Sequence, residues 1–234
     1  MGKKEKVIQN LKAFASKEKA EVLKRFFKTG KGEYAEGDVF IGITVPNIRS
    51  VCKKFYKELS LDDLDFFISN PIHEYRLFAL ICCTYSFERA DGVERENIFN
   101  WYLKNIDFVN NWDLVDLSCH EIVGEFLKGR DKKVLYDLIG SECMWYQRIA
   151  IVSTYSFIRE NDFKEILFFA KKMFGTEYDL IQKAVGWMLR EVGKRDVGVL
   201  KEFLDMYCEV MPRIMLRYSI ERFDNNERKR YLGR

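Results

Sequence analysis

The chain has 234 residues, of which 47% are hydrophobic and 32% are charged, and its formal net charge at pH 7 is +3. This composition is typical of a globular protein with a sizeable core, and it excludes a disordered chain. Because the net charge is small, any surface that binds nucleic acid must come from local clustering of basic residues.

Signals for metal binding, secretion and membrane insertion are weak. The six cysteines include no CxxC pair and only two histidines occur, so we expect no metal site. The first residues lack the continuous apolar core of a secretion signal, and there is no run of about 18 apolar residues. We therefore expect a cytoplasmic protein with reduced thiols and no membrane contact.

Apolar residues recur with helical spacing through most of the chain. Only three prolines occur, and the Val/Thr alternation of strands is nearly absent. The sequence therefore predicts an all-α fold. In chain order, a basic pair of helices is expected to end near Phe27. The glycine-rich stretch 28–49 follows, and its four glycines exclude a helix over their span.

Capping residues mark the next two helix starts. Thr44 is a suitable N-cap, and Pro46 falls in the first turn of its helix, where a missing N–H costs nothing. Ser60, with Asp63 three residues later, predicts a capping box at the start of the following helix.

From there a repeat of two helices begins. Candidate helices start near His73, Trp112, Met144, Tyr178 and Pro212. Early in these helices lie Arg76, Asp113, Arg148, Lys183 and Arg217, spaced by 37, 35, 35 and 34 residues. A period of about 35 to 40 residues with two helices per unit is typical of HEAT-like repeats. We therefore expect one domain over residues 1–234, a right-handed α-solenoid that is normally monomeric.

The cations of this series are expected to share one surface. Every second helix of a solenoid lines its concave face, so Arg76, Arg148, Lys183 and Arg217 would form a basic stripe there. A DNA phosphate backbone is the natural partner of such a stripe. The alternative is that these cations form ordinary salt bridges between repeats.

The segment FVNNWDLVDLSCHE, residues 108–121, carries an aromatic and a carboxylate one turn apart. The apolar positions 115, 119, 122 and 126 predict a helix that begins at Trp112, with Asn110 or Asn111 as its N-cap. Trp112 and Asp116 then stand together at one edge of that apolar stripe. The helix dipole accounts for Asp113 without any function.

A later helix repeats this arrangement, with Lys183 and Trp187 four residues apart. Tryptophans, an acid and cations near one another could form a cleft for an electron-poor ring close to phosphates. Two alternatives remain. Asp116 could be the salt-bridge partner of an arginine in the next repeat, and Trp112 could be an interhelix packing residue.

Four segments carry a resemblance to a known family: VFIGITVPNIR (39–49), WDLVD (112–116), YQRIAI (146–151) and RYSIERF (217–223). With the HEAT-like period, they resemble the bacterial DNA alkylation repair glycosylases of the AlkD type over essentially the whole chain. The resemblance implies a curved helical protein that cradles duplex DNA on its concave face. It also implies hydrolytic excision of N3- and N7-alkylated purines, with no base pulled into a pocket. By position, Trp112, Asp116 and Trp187 match the lesion-contacting residues, and Arg148 matches the backbone-binding arginine.

The proposed chemistry explains these residue types. An alkylated purine is a cationic leaving group, and its departure leaves an oxocarbenium-like sugar. Asp116 is expected to be catalytic, since a carboxylate stabilises that charge and positions a water molecule, while Trp112 and Trp187 present their negative ring faces. Such a reaction requires no metal and no cofactor.

The N-terminal part of the pattern leaves choices open. Members of the family place an early aromatic residue on the DNA near the lesion, and Phe26, Phe27 and Tyr34 are the candidates here. Lys28 and Lys31 could form a loop that touches DNA, or the loop could be a plain connector. Two other functions also stay open. One is a non-catalytic DNA-binding relative that recognises damaged or branched DNA, and the other is a HEAT-like protein scaffold.

Overall fold

The computed structural model of the protein describes residues 2–233. Within that range the regular elements are helices, and the single isolated bridge is a parallel one between Val39 and Ile72. The all-α prediction is confirmed. The described residues form two compact units, and the chain passes from the first to the second between Ile122 and Val123. The single domain over residues 1–234 stays a prediction.

Helix α5 is the central element of the first unit. It packs against α3, α4, α6 and α7, and every residue from His73 to Thr84 is buried, so it has no polar face along that length. The helices of this unit are α1 Lys3–Lys12, α2 Lys17–Phe26, α3 Val45–Phe55, α4 Leu61–Ile68, α5 His73–Arg89, α6 Gly92–Lys104 and α7 Trp112–Asp116, with a 3-10 helix at Ile106–Phe108.

Helix α13 has the same place in the second unit, where it packs against α10, α11, α12, α14 and α15. The apolar face of α13 includes Ile181, Val185, Met188 and Val192, all fully buried. The helices are α8 Glu125–Leu127, α9 Lys133–Ile139, α10 Met144–Ser153, α11 Tyr155–Ile158, α12 Lys164–Lys172, α13 Asp179–Arg195, α14 Val197–Tyr207, α15 Arg213–Ser219 and α16 Asn225–Leu232.

The predicted helix starts are confirmed to within one residue. Helices α5, α7 and α10 begin at His73, Trp112 and Met144 as predicted, while α13 and α15 begin one residue late, at Asp179 and Arg213. Each of these helices is separated from the next by at least one other helix. This succession of helices is consistent with an α-solenoid.

Both predicted cap positions are confirmed, but only one of them carries a side-chain cap. Thr44 is at the N-cap position of α3 and its side chain makes no capping hydrogen bond, while Pro46 is the second residue of that helix. At the start of α4 the Ser60 hydroxyl accepts from the Asp63 amide, and the Asp63 carboxylate accepts from the Ser60 amide, which completes a capping box.

The long helix predicted from Trp112 through position 126 is wrong. Helix α7 ends at Asp116, and a π-helical turn at His120–Gly124 follows a short break. In the break, the Ser118 hydroxyl donates to the carbonyl of Leu114 at 2.5 Å, a bond from a side chain to the preceding turn that bends helices. The predicted apolar positions Val115, Cys119 and Ile122 are nevertheless fully buried.

Candidate functional site

Trp112 lies at the end of a stack of four rings in the first unit. Its indole is parallel to Phe27, with 5.2 Å between ring centroids and 13° between ring planes. Phe27 stacks in turn on Phe40 at 4.9 Å, and Phe40 stacks on the imidazole of His73 at 4.6 Å. Phe26 meets Trp112 with a ring edge at 5.8 Å. Phe27 therefore covers one face of the indole, while Trp112 itself is only partly buried.

Beneath this stack lies a buried group of charges, the His73 cluster, formed by Asp38, His73, Arg76 and Asp113. The Nδ1 atom of His73 is 3.2 Å from Asp38 Oδ2, and its Nε2 atom is 2.8 Å from Asp113 Oδ2. Arg76 Nη2 donates to Asp38 Oδ1 at 2.5 Å. The cluster ties together three parts of the chain: the loop before α3, the first turn of α5 and the first turn of α7.

Two asparagines attach the segment before α7 to the same cluster. Arg76 Nη1 donates to Asn110 Oδ1 at 2.5 Å, and Asn111 Nδ2 donates to Asp38 Oδ2 at 3.1 Å. Asn111 is also the N-cap of α7, as one of the two predicted candidates, and its side chain accepts from the amide of Trp112. The start of the helix that carries Trp112 is thus fixed both by the contacts of the two asparagines with the His73 cluster and by the Asn111 cap.

The pKa values follow from these contacts. Burial lowers the pKa of His73, but the charge of Asp113 and the hydrogen bonds to Asp113 and Asp38 outweigh it and raise the pKa to about 9. For Asp38, burial raises the pKa, while the hydrogen bond from His73 and the charge of Arg76 bring it below the usual value. The pKa directions of both groups favour their charged forms.

A second buried carboxylate shapes the loop that delivers Phe40. The carboxylate of Glu74 accepts hydrogen bonds from the backbone amides of Ile41, Gly42 and Ile43, at 2.7 to 3.2 Å. Gly42 has a φ of +83°, and a Cβ there would collide with the carbonyl oxygen of Ser16. This turn therefore requires a glycine at position 42, because the backbone there has a positive φ and lies against the backbone of Ser16.

Asp116 is the last residue of α7, one turn after Trp112, and it is partly exposed. The helix thus places Trp112 and Asp116 on one edge, as the spacing predicted; we call this the Trp112 edge. The charge of this carboxylate acts on the buried hydroxyl of Tyr102. Its pKa is raised by burial first, and by charges that include that of Asp116.

In the second unit, α13 carries the other predicted aromatic residue. The indole Nε1 of Trp187 donates to Glu191 Oε1 at 3.2 Å, and Glu191 is 8% exposed and also accepts from Lys194. This bond sets the direction of the partly exposed Trp187 ring. Lys183, one turn before it, forms an ion pair with Asp179 at 2.6 Å.

The structure separates the members of the predicted basic stripe by burial. Arg217 is exposed, whereas Arg148 is 5% exposed and donates from Nη1 to the carbonyl of Leu180 at 2.5 Å. Arg76 is 4% exposed and belongs to the His73 cluster. For Arg76 this geometry matches the salt-bridge alternative.

The glycine-rich loop is closed by its own acids. Glu33 and Glu36 accept from the amides of Gly30 and Gly32, each at 2.7 Å. The two lysines of this loop, Lys28 and Lys31, are exposed. The loop is therefore an ordered turn that presents two cations to solvent.

No sequence pattern indicates a role for His73 or Asp38. Their contacts join residues 35 to 40 positions apart in the chain, so no local spacing reveals them. One usable signal is a histidine at the start of a largely apolar helix, with an arginine three residues later. Asp113 also has a partner beyond the helix dipole, namely His73.

Across residues 2–233, no group of three or more His, Cys, Asp or Glu side chains is arranged to hold a metal ion. None of the described helices combines the length and hydrophobicity that a membrane span requires.

Residues 7–223 match the protein family described as DNA alkylation repair enzyme. A solved structure described as "Predicted DNA alkylation repair enzyme from Enterococcus faecalis" is similar to this chain, with a TM-score of 0.69 and 19% sequence identity. The similarity covers 90% of this chain and 97% of the other, and it shows a shared fold. No curated protein matches the chain.

Proposed function

Because the chain belongs to the DNA alkylation repair enzyme family, we propose that it is a DNA glycosylase. In this proposal it hydrolyses the N-glycosidic bond of cationic N3- and N7-alkylated purines in duplex DNA, with the base left in the stack. Family membership supports a role in the repair of alkylated DNA. The reaction and its residues rest on the resemblance and on the geometry of the Trp112 edge.

The observation that carries the proposal is the pairing of an aromatic face with a carboxylate. Phe27 covers one face of the Trp112 indole, so a cation can approach only the opposite face. Asp116 stands one helical turn away and is partly exposed. A ring face and a carboxylate on one edge of a helix provide two sources of negative potential for a positively charged sugar or base.

The proposed reaction balances without an external catalyst. Water adds to C1′ of the deoxyribose while the bond from C1′ to the purine nitrogen breaks. The electron pair of that bond moves into the base and neutralises its alkyl cation. The proton of the attacking water is accepted by the Asp116 carboxylate, which also stabilises the oxocarbenium-like transition state. The products are a neutral alkylpurine and an abasic site.

Exposure guides the choice of DNA-contacting residues. Phe26 is 61% exposed beside Trp112, whereas Phe27 is 5% exposed, so Phe26 is the N-terminal aromatic that we place on the DNA. Tyr34 is partly buried against the Phe27 core.

We propose that the exposed cations contact phosphates. These are Lys28, Lys31 and Arg217, together with the partly exposed Lys183. Arg148 is included on the resemblance alone, since its side chain is buried. Arg76 is given a structural role instead.

The test is release of free base from a duplex that carries one N7-methylguanine, measured under single turnover. We expect the wild type to release 7-methylguanine. We expect Asp116→Asn to slow this by about 10² to 10³, the usual cost of losing one transition-state contact, with unchanged duplex affinity. Asp62→Asn, an exposed acid on α4, is the matched control and keeps the wild-type rate.

Two results would contradict the proposal. Release by Asp116→Asn at the wild-type rate would remove the catalytic role of Asp116. No release by the wild type, together with salt-sensitive DNA binding, would favour the non-catalytic relative that recognises damaged or branched DNA. Weak DNA binding that does not respond to salt would favour a protein scaffold.

A further inference from the structure

The protonation state of His73 is fixed by its two neighbours. Both ring nitrogens face carboxylate oxygens, Nδ1 that of Asp38 at 3.2 Å and Nε2 that of Asp113 at 2.8 Å. A neutral imidazole has only one N–H, so its second nitrogen would point a lone pair at an anionic oxygen. Only the imidazolium donates on both sides.

Charge balance leads to the same conclusion. The His73 cluster contains two carboxylates, and Arg76 supplies one positive charge to Asp38. The remaining negative charge of Asp113 is buried, with 7% of its side chain exposed, and it is compensated only when His73 is protonated. The neighbouring acid Glu74 is directed to three backbone amides instead. The rings against His73, those of Phe27 and Phe40, carry no charge.

The cluster holds the residues on either side of Trp112. Before it, Asn111 binds Asp38 through Nδ2 and caps the Trp112 amide through Oδ1. After it, Asp113 binds His73. Helix α7 has five residues, too few to be stable from its own hydrogen bonds. Its position is therefore set by these contacts.

We propose that His73 is a positioning residue, held as a doubly donating imidazolium, which fixes the first turn of α7 and thereby the place of Trp112 and Asp116. The inference rests on the proposed function insofar as the Trp112 edge is the reaction site. It goes beyond that function, because His73 is 1% exposed and is therefore placed to act through α7 and not by direct contact with DNA.

The experiment combines His73→Gln with the double variant His73→Gln/Asp113→Asn. The glutamine leaves one buried carboxylate uncompensated, while the second substitution removes that carboxylate and allows a neutral amide pair. We expect His73→Gln to slow single-turnover base release about 10- to 100-fold, with DNA affinity changed less than about threefold. We expect the double variant to recover most of that loss.

A merely structural role predicts a different pattern. The rates are measured at a temperature at which circular dichroism shows both variants folded. If His73 has only a structural role, His73→Gln releases base at the wild-type rate under these conditions. That result, or a double variant slower than the single one, would overturn the proposal. The ¹⁵N NMR spectrum of wild type at pH 7.5 is a second criterion. Two protonated ring nitrogens on His73 are expected, and only one would contradict the proposal.

A further readout does not need base release, so it separates this proposal from the proposed function. With 5-fluorotryptophan incorporated, the ¹⁹F resonance of Trp112 is assigned by its loss in Trp112→Phe. In His73→Gln we expect that resonance to shift or broaden, while those of Trp145 and Trp187 in the second unit stay unchanged. If the wild type releases no base, the glycosylase proposal fails and the NMR results decide the role of His73. An unchanged Trp112 resonance would refute it.

Discussion

The rings of Phe27 and Trp112 are parallel, 5.2 Å apart between centroids and inclined by 13°. Phe27 directly follows α2, and Trp112 is the first residue of α7. This contact attaches the end of α2 to the Trp112 edge and covers one face of the partly buried indole. The two interpretations of Trp112 are therefore compatible, because one face of its indole packs on Phe27 and the other face is the candidate contact with a ligand.

Replacing Phe27 should therefore cost far more stability than replacing its neighbour. We expect Phe27→Leu to lower the free energy of unfolding by about 1 to 3 kcal/mol, because a buried ring loses packing and two stacking contacts. Phe26→Leu makes the same chemical change at a side chain that is 61% exposed, and should change it by about 0.5 kcal/mol or less. Urea unfolding followed by circular dichroism measures both values. Equal losses would show that the stack contributes little.

Stability should fall as the pH rises above neutrality. The pKa of His73 is raised from 6.5 to about 9 in the folded protein, so its contribution is complete below pH 6.5 and is lost as the pH approaches 9. The shift corresponds to roughly 3 kcal/mol. Urea unfolding of the wild type at pH 6, 7, 8 and 9 should show this decline, and His73→Gln should lack it. Parallel curves for the two proteins would rule out His73 as the cause.

Two glycines with similar φ angles allow a matched comparison. Gly42 has a φ of +83° and Gly37 a φ of +90°, but a Cβ at Gly42 would lie 2.7 Å from the amide nitrogen of Ala20, whereas Gly37 has open space. We expect Gly37→Ala to cost about 1 kcal/mol from the backbone angle alone. Gly42→Ala should cost several kcal/mol, through the added collision. Thermal unfolding of both variants tests this, and similar melting temperatures would contradict it.

Local signals in the sequence were enough for most of the fold. Asn111 at the start of α7, Pro46 in the first turn of α3 and the Ser60–Asp63 box all act within one helical turn. Such short-range preferences act on the chain before any tertiary contact forms. They can therefore be recognised without knowing which helices pack together.

The break after α7 could not be predicted in this way. The apolar positions 115, 119 and 122 are buried whether the backbone is α-helical throughout or contains a π turn, so periodicity does not distinguish the two. The decision depends on the bond from the Ser118 hydroxyl to the Leu114 carbonyl and on how the following segment packs.

The surface residues of the candidate site could be predicted from the sequence, but the buried residues that hold them in place could not. The spacing of Trp112 and Asp116 follows from helix geometry alone. Asp113 was attributed to the helix dipole, because the sequence gives no sign that His73, 40 residues earlier, lies 2.8 Å from it. Burial of Arg76 was likewise invisible, since an arginine that pairs with Asp38 and one that faces solvent have the same local pattern.

The brevity of α7 also bears on how this protein can change through evolution. The position of a five-residue helix is set by the residues that contact it. Mutations at Asp38 or Asn111 can therefore alter the geometry of the Trp112 edge as effectively as mutations in the edge itself. Selection on activity must act on these hidden residues too. A comparison of relatives that scores only Trp112 and Asp116 would then group together proteins whose edges are held differently.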